Sequence, residues 1–107
     1  PLTVRDAAVC LDVVDRTCVD SNDVFPASVG KLYCFTRIFG AQEEIQISHV
    51  WYFGDIERAR VPLNIRSLNF RTWSSKLIQP REIGKWHVDI LGPGDERLKT
   101  VAFEIVP

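Results

Sequence analysis

At 107 residues, 46% hydrophobic and 25% charged, the chain has the length of one domain and an ordinary globular composition, which excludes disordered and fibrous classes. No apolar run approaches the ~20 residues that span a bilayer, and a formal net charge of −1 argues against a nucleic-acid binder. Methionine is absent and the chain opens at Pro1, so we expect a single domain over residues 1–107, excised from a longer parent that would carry any targeting segment.

The first strand is expected across 3-TVRDAAVCLDVV-14. Three cysteines make an odd count. Cys10 and Cys18, eight positions apart, are close enough to bridge, which would stabilise the fold by about 2.5 kcal/mol and place the protein in an oxidising compartment, periplasmic or extracellular. Three reduced thiols, with Cys34 a small core residue, fit the count equally well. From Asp15 to Gly30 the chain reads as one long loop whose Phe25 tucks back onto the core. In that loop, 20-DSND-23 offers oxygen ligands, but Val24 stands where a calcium loop needs an acid, and no Cys-x-x-Cys spacing exists for zinc; neither a metal nor a cofactor is expected.

Six further strands follow. The segment 31-KLYCFTRIFG-40 is rich in aromatic and β-branched residues. In 45-IQISHVWYF-53, Ile45, Ile47, His49, Trp51 and Phe53 share one face. In 58-RARVPLNIR-66, Ala59, Val61, Leu63 and Ile65 alternate with outward Arg58, Arg60, Asn64 and Arg66; Pro62 and the outward arginines mark an edge strand. Residues 70–78, 85-KWHVDIL-91 and 98-LKTVAFEIV-106 complete the set, the last two joined by the turn 92-GPGDE-96. About seven antiparallel strands with regular turns predict an all-β chain, an immunoglobulin-like β-sandwich of two sheets.

Charge is unevenly spread. Residues 57–85 hold seven cations against two acids, a local +5, and residues 1–25 hold two cations against five acids, a local −3. An arginine-rich face can attract an anionic glycan or acidic protein, although a solvated edge strand explains the same charges. The run 70-FRTWSSK-76 divides by period two into Phe70, Thr72, Ser74 and Lys76 on one face and Arg71, Trp73 and Ser75 on the other. It lacks a Ser-x-x-Lys arrangement, and neither Ser74 nor Ser75 has an evident base, so a hydrolase is the weakest reading unless a pocket joins one of them to His49. His49 reads as a hydrogen-bonded core histidine, and His87 faces outward. Trp51 and Trp73 could stack on a sugar ring, but core burial is the commoner fate of tryptophan.

The order 49-HVW-51, 70-FRTWSSK-76, Pro80, 84-GKW-86 and 103-FEI-105 resembles the bacterial domain-of-unknown-function family numbered 2914, from about Lys31 to the C-terminus. The resemblance implies a small β-sandwich found as a C-terminal piece of bacterial proteins, behind a signal or membrane segment. It carries no reaction or ligand. Family members often have a tryptophan just after the proline matching Pro80, where Arg81 stands here. The expected function is a non-catalytic binding or accessory domain of a bacterial envelope protein. It would contact a partner protein or an anionic glycan through Arg71, Trp73 and Lys76, with His49, Trp51, Arg58, Arg60 and Arg66 as further candidates. The alternative is a purely structural spacer.

Overall fold

The computed structural model describes residues 1–107 and contains strands but no helix, hence none able to cross a membrane. Nine strands form: β1 Thr3–Val14, β2 Thr17–Ser21, β3 Val24–Pro26, β4 Lys31–Phe39, β5 Ile45–Phe53, β6 Ile56–Ile65, β7 Asn69–Leu77, β8 Gly84–Leu91 and β9 Arg97–Val106. They make a four-stranded sheet in the order β2-β1-β4-β7 and a five-stranded sheet in the order β3-β9-β8-β5-β6. The seven expected strands are all present, with β6 on an edge.

The count of seven, and the single long loop from Asp15 to Gly30, need correction. That segment holds two strands. Asp15 and Arg16 both take positive φ, 50° and 60°, the backbone of a two-residue hairpin turn that usually carries Asn or Gly, so these two residues carry little turn signal. β3 is only three residues long and pairs parallel with β9, so the sheets are not wholly antiparallel. Its Phe25 tucks inward as expected, edge-on to Phe103 at 6.2 Å.

Alternation places the core between the sheets in two apolar clusters. One gathers Leu32, Cys34, Trp51, Trp86 and Phe103, with Phe103 stacked on Trp86 at 5.8 Å. The other gathers Ile38, Ile47, Ile65 and Ile90. Thr36 follows Cys34 and precedes Ile38 on the inner face of β4, and His49 lies between Ile47 and Trp51 on β5, so a polar layer separates the clusters. Burial pushes the Cys34 thiol up to about 12, which makes it an inert packing group.

Cys10 and Cys18 are bridged, with Cα atoms 5.8 Å apart. Cys10 stands opposite Tyr33 on the outer side of the four-stranded sheet and is fully buried. Its cover is the β1–β2 hairpin, which curls back over that face. The tip reaches β7, where Arg71 Nη1 donates to the Arg16 carbonyl oxygen at 3.3 Å. Phe35, also on an outward position, is only 5% exposed for the same reason.

Candidate functional site

The outer face of the β4–β7 pair is a ladder of facing residues. Arg71 stands opposite Arg37, Trp73 opposite Phe35, Ser75 opposite Tyr33 and Leu77 opposite Lys31. Like charges directly opposite each other on antiparallel strands repel, so the Arg37–Arg71 rank costs stability unless something offsets it. The hairpin tip adds a third guanidinium, Arg16. The three arginines line a cleft of about 140 Å³ with Asn69, whose Oδ1 accepts from Arg37 Nε at 2.8 Å. A second lobe of about 130 Å³ shares the three arginines and adds Asp6, Thr17, Cys18 and Phe35. Asp6, opposite Arg37 on β1, is its only acid, and none of the three arginines forms an ion pair.

Local backbone features aim these side chains. A bulge between Val4 and Asp6 makes Arg5 the extra residue of β1 and turns its guanidinium over the Phe39 ring, 4.1 Å from the centroid. Arg16 occupies left-handed backbone in a residue type that rarely adopts it, a strain that tends to persist where side-chain placement matters. Trp73, 37% exposed, follows Arg71 on the same face of β7.

Several expected contact residues are elsewhere. His49 and Trp51 are fully buried and form part of the core, because their face of β5 points between the sheets. His49 Nδ1 lies 2.7 Å from Ser74 Oγ and its Nε2 3.1 Å from Thr36 Oγ1, while Trp51 Nε1 donates to Ser74 Oγ at 3.1 Å. This joins a serine to a histidine, but both sit between the sheets, and the ring nitrogen that does not face the serine meets the Thr36 hydroxyl where a triad has a carboxylate. Burial lowers the His49 pKa to about 4, so the ring is neutral and one nitrogen donates while the other accepts.

Lys76 shares the inward positions of Phe70, Thr72 and Ser74, so it does not join Arg71 and Trp73; its Nζ donates to the Leu77 carbonyl at 2.8 Å. Arg58 is the extra residue of a β6 bulge and is engaged by Glu82, a carboxylate in the β7–β8 loop only 2% exposed, at 2.6 Å. Arg60 lies 3.5 Å from Glu57 and 3.8 Å from Asp95 in the β8–β9 turn of the same sheet. Arg66 is exposed just past β6. The local +5 is therefore divided among two sheets and a loop and forms no single patch. Arg16 and Arg37, which complete the cleft, lie outside that window. Arg37 could have been found from its outward position on the 31–39 strand, whereas nothing local placed Arg16 beside it.

Other grooves are larger. One of about 470 Å³ beside β3 is lined by Leu11, Val24, Phe25 and Val29, yet it lacks a comparable convergence of like charge. No group of three or more His, Cys, Asp or Glu side chains is placed to hold a metal ion.

Fold and cleft together define a small two-sheet all-β domain that presents an arginine-lined hollow beside an exposed tryptophan. Residues 44–105 match the family model DUF2914, described as a protein of unknown function, and the chain belongs to that family. The match takes in β5 to β9, and so Arg71 and Trp73, while Arg5, Arg16 and Arg37 precede it. No curated protein matches the chain.

Proposed function

We propose that the domain is a non-catalytic binding or accessory module that captures an anionic group of a partner protein or glycan in the Arg16–Arg37–Arg71 cleft. The observation that carries this reading is the facing pair Arg37 and Arg71, joined by Arg16 and left without an ion-pair partner. An anion there would relieve the repulsion and use the planar guanidinium fork. Sulfate tests it: a ligand that binds only the folded state raises the melting temperature. Sulfate should raise that of the wild type beyond an ionic-strength-matched chloride control and leave Arg71→Gln at the control value. Equal responses in both proteins would sink the reading.

The Cys10–Cys18 bridge supports an oxidising location, in keeping with a domain of a bacterial envelope protein, periplasmic or extracellular. We also infer an immunoglobulin-like sandwich. Its support is the strand order: without β2 and β3, the sheets read β1-β4-β7 and β9-β8-β5-β6, with the chain changing sheets between β4 and β5, between β6 and β7 and between β7 and β8. A purely structural spacer remains the competing reading, and it predicts no sulfate effect.

A further inference from the structure

We propose that the ligand of this face is an acidic oligosaccharide, held with a carboxylate in the arginine cleft and a sugar ring against Trp73. The inference rests on the binding reading above and names its ligand. The cleft supplies the first step: about 140 Å³ is the share of liquid volume of four or five water molecules at ~30 Å³ each. A carboxylate fits such a space, and the body of its carrier must lie outside.

What lies outside is ordered along the strands. Beyond the arginine rank come Trp73 with Phe35, then Ser75 with Tyr33, then Leu77 with Lys31. Trp73 offers ring surface, and Ser75 and Tyr33 offer hydroxyls that can donate and accept. Lys31 holds its ammonium 5.9 Å from the Tyr33 ring centroid and places a second cation six positions from Arg37, ~20 Å at ~3.4 Å per residue. Cations at both ends of an aromatic and hydroxyl surface suit a linear chain of rings bearing spaced negative charges.

Two other polyanions fit less well. A peptide strand binds through backbone groups at a sheet edge, whereas these side chains stand on a face. Nucleic acid would bring closely spaced phosphates against a molecule of net charge −1, with Asp6 beside the arginines and Asp12, Asp15 and Asp20 along the hairpin.

The test is calorimetric titration of the oxidised, full chain with four probes at one ionic strength: a uronic-acid oligomer, the same oligomer as its methyl ester, poly-glutamate and oligothymidylate. We expect binding of the uronic-acid oligomer alone. Arg71→Gln, Lys31→Gln and Trp73→Ala should each weaken it about tenfold or more, with circular dichroism showing a folded chain. Because Trp73 stands opposite the buried Phe35, Trp73→Phe is a second variant that should retain part of the affinity. Equal binding of poly-glutamate or oligothymidylate, or an affinity unmoved in both Trp73 variants, would overturn the glycan assignment while leaving the anion cleft standing. Failure of all four probes together with no sulfate effect would overturn both.

Discussion

Arg71 donates from Nη1 to the carbonyl oxygen of Arg16 at 3.3 Å, a bond between residues 55 positions apart. It ties the tip of the β1–β2 hairpin to an edge strand two places away in the sheet, and brings a third guanidinium to the facing pair Arg37 and Arg71. The cleft therefore depends on a hairpin with few other anchors.

One of those anchors is covalent. Reduction by a dithiol, which returns Cys10 and Cys18 to thiols, or the double change Cys10→Ser and Cys18→Ser, should lower stability by about 2.5 kcal/mol on loop-closure entropy. The loss should appear in urea titrations with and without reductant. Amide exchange should quicken first in β2, whose only sheet neighbour is β1, and the sulfate effect should shrink with it.

The facing arginines predict a trade-off. Arg37→Gln or Arg71→Gln removes a repulsion between facing like charges, so stability in low salt should hold or rise by up to about 1 kcal/mol while the response to sulfate disappears. Thermal melts at two ionic strengths would show it. A loss above about 2 kcal/mol in either variant would instead mark the arginines as structural.

His49 makes stability depend on pH. Its pKa is near 4 when folded and 6.5 when unfolded, so above pH 6.5 both states are neutral and its contribution is complete. Between pH 6.5 and 4 the unfolded chain takes up a proton that the folded chain refuses, and stability falls as pH falls through that window, by about 3 kcal/mol in all. Denaturant titrations across the window, with the imidazole followed by NMR, measure this. Ser74→Ala, which strips partners from His49 Nδ1 and Trp51 Nε1, should cost about 2–3 kcal/mol at pH 7.5.

The three tryptophans should separate in acrylamide quenching. Trp51 and Trp86 are buried and Trp73 is exposed, so one quenchable component is expected, and Trp73→Phe should remove it. Binding of the uronic-acid oligomer should protect the same component.

Seven strands, the inward faces of β5, β6, β8 and β9 and the edge position of β6 were legible because alternation and turn residues are local signals. The hairpin was not, since Asp15 and Arg16 lack the glycine or asparagine that marks such turns. The division of 70-FRTWSSK-76 into two faces also held, but the sequence could not say which face met water. Ser74 proved to be a hydrogen-bond partner of the core and Trp73 the exposed ring, against the commoner fate of tryptophan.

By itself, then, the sequence determined the strand periodicity, the inward residues of β5, β6, β8 and β9 and a bridgeable cysteine pair, all of which depend on residues near one another in the chain. Only the tertiary structure decided which cations act together. Arg58 went to a buried carboxylate and Arg60 to two exposed ones, while Arg16, Arg37 and Arg71 met on one face with Asp6 nearby but without an ion pair. Strand order and the curl of the hairpin set those distances, and both arise from contacts between segments remote in sequence, which a count of charges along the chain does not contain.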